Sequence, residues 1–158
     1  MTKGVYVLVI LVRKAVRPRV GHLGEVSFSS GQYLYVGSAM GTGSTSVENR
    51  LRRHFSDRKT KRWHIDYFLG GGGRAVSAVW AATDRKLECD LVRRLESHPS
   101  MLPYATGFGC SDCRGSCRTH LFRFAGPDSV ISTLKELVLG LGLKARVTAS
   151  RDLRTCSP

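Results

Sequence analysis

The sequence predicts an α+β fold in which helices flank an antiparallel sheet. Three observations lead there. The run "GVYVLVILV" at Gly4–Val12 is continuously apolar, as suits a strand buried on both faces. The turn "SSGQ" at Ser29–Gln32 precedes a second strand at Tyr33–Gly37, and strands joined by turns pair antiparallel. Beyond Ser46, apolar residues recur at helical spacing. A chain of 158 residues is long enough for one real core and short for two. Residues 1–97 read as the core of this single domain. Residues 98–158 read as a Cys/His-rich loop and a C-terminal helix packed on it.

Taken in order, the strand Gly4–Val12 comes first. Arg17–Phe28 holds one or two short strands broken by Gly21 and Gly24, and Tyr33–Gly37 is the next strand. Glycines in "GTGSTS" break that strand, and Ser44, Thr45 or Ser46 caps a helix running to about Phe55. "DRKTKR" is a charged loop. "WHIDYFL" is a short amphipathic piece stopped by Gly70–Gly73, a floppy run or a tight bend. Ala75–Ala82 is strand-like. Thr83 or Asp84 caps a helix reaching about Ser97. The stretch to Cys117 is irregular, Thr119–Phe124 is a last short strand, and Asp128–Gly140 is a helix. The residues after it look frayed.

Charge sets the expected partner. Lys and Arg number 25 against 12 Asp and Glu, a net charge of +13. Such a surplus concentrates polyanions, so nucleic acid leads, with an anionic membrane surface or RNA inside a larger assembly as the rivals. The first apolar run is too short to span a bilayer and lacks a leader's cleavage site, which suggests a cytoplasmic protein. An odd count of 5 cysteines argues against a disulfide framework.

Three constellations could carry chemistry. On the first helix, Val47, Leu51 and Phe55 form an apolar stripe. His54 lies about 20° and Arg50 about 60° from Val47 on the wheel. Arg50 either snorkels beside a satisfied histidine, or offers a half-dry guanidinium to a phosphate. On the second, Leu91, Val92 and Leu95 surround Glu88, which puts a carboxylate on an apolar face. It needs a cation there, either an arginine or a hard divalent ion such as Mg²⁺. Tyr6 and Tyr35 each sit near a glycine on neighbouring strands. They either fill core or border a place where a ligand approaches closely.

The tripeptides "GVY" at Gly4–Tyr6 and "YVG" at Tyr35–Gly37, followed by "SA", "RLRRHF" and "LEC", resemble the GIY-YIG nuclease superfamily. Valines stand where that motif has isoleucine. The strings "WHIDYFL" and "GFGCSDC" resemble one branch of it, a domain family of unknown function frequent in archaea. The resemblance runs from Gly4 to about Leu95. It implies a three-stranded antiparallel sheet with flanking helices, to which an extra hairpin over residues 13–31 is added. It also implies a divalent-metal-dependent endonuclease that hydrolyses DNA phosphodiester bonds, structure- or damage-selective and tied to DNA repair. The alternative is a non-catalytic module for nucleic acid, RNA included.

Carried over residue by residue, the resemblance puts Tyr6, Tyr35, Arg50, His54 and Glu88 in the catalytic site. Glu88 would hold Mg²⁺ or Mn²⁺ as a Lewis acid on the phosphate. Arg50 would neutralise transition-state charge. Tyr6, alone or relayed through His54, would deprotonate or orient water, its phenol lowered by Arg50 and the metal. Tyr35 would position water or phosphate. The late asparagine of many members is missing, and Ser111 or Asp112 are the candidates to replace it.

Two further features come from the residues themselves. Cys110, Cys113, Cys117 and His120 form a C-x₂-C-x₃-C-x₂-H run that suits a closed structural zinc site; free thiols or a disulfide are the other readings. Cys89 reads as buried filling. From Arg50 to Arg62 there are seven Lys/Arg, of which Arg53, Arg58, Lys59, Lys61 and Arg62 could track a phosphate backbone. His64 and Asp66 either support the site residues from behind or are structural, the reading favoured here, and Trp63 either packs or stacks on a base.

Overall fold

The computed structural model describes residues 1–57, 60–111 and 113–154. Its strands are β1 (Gly4–Val12), β2 (Gly31–Ala39), β3 (Gly73–Ala82), β4 (Met101–Pro103), β5 (Leu121–Phe124) and β6 (Arg146–Ala149). Its helices are α1 (Val47–Phe55), α2 (His64–Gly70), α3 (Glu88–Glu96), α4 (Val130–Leu139) and α5 (Ser150–Arg154).

The described strands form one sheet in the order β4-β5-β2-β1-β3-β6, every pair antiparallel. The α+β class and the antiparallel sheet are as the sequence predicts, but the sheet has six strands rather than three. The expected three are its centre, with β1 between β2 and β3. The additions are short edge strands. β4 is three residues ending in proline, a residue that edges tolerate because it has no N–H to pair.

β1 is central because every residue of it is apolar after Gly4. Val5, Val7 and Val9 face one core, while Tyr6, Leu8, Ile10 and Val12 face another. Helices α1 and α2 cover the tyrosine face through Val47, Leu51, Phe55, Ile65 and Phe68. Helices α3 and α4 cover the valine face through Leu91, Val92, Leu95, Leu134 and Val138. Fully burying each such side chain contributes about 1.5–3 kcal/mol, so the two-sided sheet is the principal source of stability.

Residues 13–30 make a bridged loop rather than a full hairpin. Val16 pairs with Phe28 and Arg19 with Glu25, around a short 3₁₀ turn at Gly21–Leu23. Phe28 stacks on Phe68 with ring centroids 3.9 Å apart, which ties this loop to α2.

Several boundaries differ from the expected ones. Ser46 caps α1, accepting from the Asn49 amide at 3.3 Å. Thr83 does not cap a helix. Its hydroxyl accepts from the Arg85 amide and closes a turn, so α3 begins only at Glu88. The tail expected to fray instead forms β6, paired to β3, and then α5. Gly72 takes φ of +121° in the bend before β3, so the glycine run is a turn and a strand start.

Candidate functional site

The pairing of β1 with β2 sets the site. Tyr6 lies opposite Gly37 and Leu8 opposite Tyr35, so both tyrosines fall on the face that α1 covers. A methyl group on Gly37 would sit 2.5 Å from the Tyr6 ring, and only glycine admits the ring there. On α1, Leu51 and Phe55 enter the core and carry His54 with them, leaving it 3% exposed. His54 Nε2 lies 2.8 Å from the Tyr6 hydroxyl. Its ring also meets Tyr35 edge-on, with centroids 6.2 Å apart.

Arg50 comes one turn earlier on the same helix edge. Its Nε is buried without a hydrogen-bond partner, and its guanidinium lies 5.2 Å from the centre of the Trp63 ring. Burial pushes the Tyr6 phenol well above its ordinary value, and the nearby Arg50 charge opposes that without overcoming it. The sequence predicts a phenol lowered by Arg50 and a bound metal together; Arg50 alone does not offset the burial of the ring.

Glu88 reaches the same cleft from the other face of the sheet, as the first residue of α3. Its Oε2 accepts from the Ser38 hydroxyl at 2.9 Å and its Oε1 from His120 Nδ1 at 3.0 Å. Among the described residues, His120 is its sole ion partner, so no arginine neutralises it. Its side chain is 29% exposed, at the positive end of the helix rather than sunk in an apolar stripe.

These groups line one open cleft of about 1420 Å³. Tyr6, Tyr35, Arg50, His54 and Glu88 all contribute to it, and Ser111 borders it. Asp112, Arg58 and Lys59 lie outside the described residues. The exposed Lys61 and Arg62 sit on the rim. So do the exposed Arg19, Lys86 and Arg114, which sequence reasoning missed because they come from separate loops.

Arg53 has another task. Its guanidinium donates to Asp66 Oδ2 at 2.7 Å and to the Thr60 carbonyl. Asp66, fully buried, also accepts from the Arg62 and Trp63 amides and so caps α2. Burial alone would raise its carboxyl, but these donors hold it below the usual range. Asp66 has a structural role, and it engages the guanidinium of Arg53, one of the residues expected to track a phosphate backbone. His64 accepts from the Gly109 amide at 2.9 Å, which pins the cysteine-rich loop to α2.

The sulfur cluster is a correction as well. Cys89, Cys113, Cys117 and His120 bring one ligand atom each to within 4.8 Å of one another, and this group could hold a metal ion. Cys110 is not in it. Its thiol turns back to the carbonyls of Phe108 and Cys117. Burial pushes that thiol up to about 11. Cys89 takes its place because a methyl group on Gly115 would lie only 2.6 Å from the Cys89 sulfur; glycine lets the loop close on α3. Burial also raises Cys113, but hydrogen bonds from the Cys117 backbone, His120 and the Gly115 backbone outweigh it and bring the thiol to about 6. The described cysteines are free thiols.

A six-stranded antiparallel sheet carrying a tyrosine–histidine–arginine–glutamate cleft is the class of protein this chain represents. The chain belongs to the family described as Domain of unknown function DUF123, whose model matches residues 5–143. No curated protein and no solved structure matches it. Among the described residues no helix is long and apolar enough to cross a membrane.

Proposed function

We propose that this protein is a divalent-metal-dependent endonuclease related to the GIY-YIG superfamily, acting on DNA in repair. One observation carries the reading: Tyr6, Tyr35, Arg50, His54 and Glu88, distant in sequence, border a single cleft rimmed by exposed cations. A binding module needs the rim but has no need of a half-exposed carboxylate without an arginine partner.

The donors at Glu88 suit a hard ion. One carboxylate, each oxygen holding a single hydrogen bond, leaves lone pairs facing the cleft, and Mg²⁺ or Mn²⁺ completes its shell with water and phosphate. Bound there, such an ion supplies Lewis-acid charge to the phosphate and to the departing 3′ oxygen. Arg50 adds a fixed guanidinium for the negative charge of the transition state. Tyr6 orients the attacking water; as the water oxygen bonds to phosphorus and the P–O3′ bond breaks, the water proton is relayed through the Tyr6 hydroxyl to His54 Nε2 and solvent protonates the departing 3′ oxygen. Tyr35, on the same face of the sheet and lining the same cleft, positions the water or the phosphate. The Cys89–Cys113–Cys117–His120 group is a zinc site, since three thiolates and an imidazole favour that ion. Lys61, Arg62, Arg19, Lys86 and Arg114 carry the phosphate backbone to the cleft without reading sequence.

The test uses plasmid, abasic and branched DNA and a matched RNA, with Mg²⁺ or Mn²⁺. Cleavage that is metal-dependent and lost in Glu88→Gln is expected. Tight binding of any of these with no cleavage of any would replace the enzyme by a binding module.

A further inference from the structure

We infer that the zinc does more than staple its loop: His120 joins it to Glu88 and so fixes the carboxylate of the reaction site. The inference takes the zinc and the role of Glu88 from the proposed function, while the hydrogen bond that joins His120 to Glu88 stands apart from it.

His120 is 2% exposed, and its two ring nitrogens face two different tasks. Nδ1 lies 3.0 Å from Glu88 Oε1. Nε2 is buried and faces the Cys113 thiol, on a ring whose other nitrogen is already taken by Glu88. A neutral imidazole holds one proton. With Nδ1–H donating to the carboxylate, Nε2 presents its lone pair to the three thiols. This is how carboxylates commonly fix the tautomer and orientation of a zinc-bound histidine.

The sulfur spacing agrees. Cys89 and Cys113 have their sulfurs 3.6 Å apart. Zn–S bonds of about 2.3 Å set tetrahedral edges of about 3.8 Å. The backbone holds His120 as firmly as its side chain does. Its amide donates to the Phe108 carbonyl, and its carbonyl accepts from the Val36 amide on β2. Ser38, two residues along β2, holds the other oxygen of Glu88. The carboxylate is therefore clamped between a strand and a ring that the zinc immobilises.

Without zinc, the loop bearing Cys113 and Cys117 loses its tie to Cys89, and His120 can turn away from Glu88. The carboxylate then gains rotamers. Binding a hard ion must first freeze them again, so the affinity falls. Linkage makes the effect mutual: what zinc does for Glu88, Glu88 does for zinc.

The full chain, expressed with zinc, decides this through metal content, the absorption of the cobalt-substituted protein, and Mn²⁺ affinity by electron paramagnetic resonance. One zinc per chain is expected, lost in Cys89→Ser and kept in Cys110→Ser. Glu88→Gln should weaken zinc binding about tenfold and shift the cobalt spectrum. His120→Cys should keep zinc on four thiolates while weakening Mn²⁺ about tenfold or more. A wild-type chain without zinc, or a Glu88→Gln chain with unchanged zinc affinity and cobalt spectrum, overturns the link, as does His120→Cys with zinc and Mn²⁺ both held as in wild type. A wild-type chain that holds zinc yet takes up no Mn²⁺ and cuts no DNA overturns the proposed function instead. The zinc affinity of Glu88→Gln then still decides the link.

Discussion

The hydroxyl of Tyr6 and Nε2 of His54 share a hydrogen bond of 2.8 Å across the boundary between β1 and α1. The strand supplies the phenol and the helix the imidazole. Burial raises the phenol and Arg50 opposes it; under the proposed function the two groups take the proton of the attacking water together. Tyr6→Phe and His54→Ala should each lower the cleavage rate about 10²-fold. The double variant should be no slower than the worse single, because the two act as one unit. Tyr6→Phe should destabilise the fold by only about 1 kcal/mol, the net value of one hydrogen bond. Single-turnover rates and thermal melts check both. Additive losses in the double variant would refute the relay.

The glycine of "YVG" serves the same phenol. Gly37→Ala places its methyl 2.5 Å from the Tyr6 ring, so either ring or strand must move. Overpacking of this kind costs about 1–3 kcal/mol, and cleavage should fall with it. In a Tyr6→Ala background the added methyl meets an empty space, so its penalty should drop below about 1 kcal/mol. Urea denaturation of the four proteins in this cycle measures the difference. An equal penalty in both backgrounds would show that Gly37 is needed for something other than the ring.

Asp66 gives the fold a defined acid limit. Its carboxyl is held below the usual range by the Trp63 and Arg62 amides and by Arg53, against the opposing effect of burial. A carboxyl lower in the folded state contributes stability that is complete above its unfolded value, about 3.9. That contribution is lost as pH falls through the folded value. Wild type should therefore lose stability steeply below about pH 4. Asp66→Asn should be less stable at pH 7 by about 2–3 kcal/mol, since a charged hydrogen bond and two amide bonds weaken. Its stability should decline less between pH 4 and 2. Chemical denaturation across that range reads the slopes, and parallel slopes would remove Asp66 from the acid response.

How much of this was legible in the sequence follows the reach of each signal. Arg50 and His54 stand out because the stripe of Val47, Leu51 and Phe55 fixes which side of α1 they occupy, and helix geometry acts within one turn. Glu88 was found through its spacing from Leu91, Val92 and Leu95, though it starts α3 instead of lying within it. The sulfur cluster was legible in kind but not in membership. Cys89 lies on a helix 24 residues before Cys113, and nothing local says that Gly115 lets the two meet. Arg53 and Arg62 look alike in a basic run, and only the fold gives the guanidinium of Arg53 a buried Asp66 while Arg62 meets the same carboxylate through its backbone amide. β6 was missed because Arg146–Ala149 is half-exposed and short, and its pairing to β3 is its main support.

That division of the basic run gives a last prediction. Lys61 and Arg62 are exposed on the rim, whereas Arg53 is spent on Asp66 and the Thr60 carbonyl. Each phosphate contact adds about 0.9 to the slope of log affinity against log salt on duplex DNA. Replacing Lys61 and Arg62 by Ala should reduce that slope by about 1.8 if both contact phosphate, with little change in melting temperature. Arg53→Ala should do the reverse. It removes a cation that holds the start of α2, so the melting temperature should drop while the slope moves little. Fluorescence anisotropy at several salt concentrations, beside thermal melts of the same samples, separates the two. If Arg53→Ala lowers the slope by a full contact and leaves stability intact, Asp66 does not hold it in solution. The path of the nucleic acid would then cross α1 rather than the cleft rim.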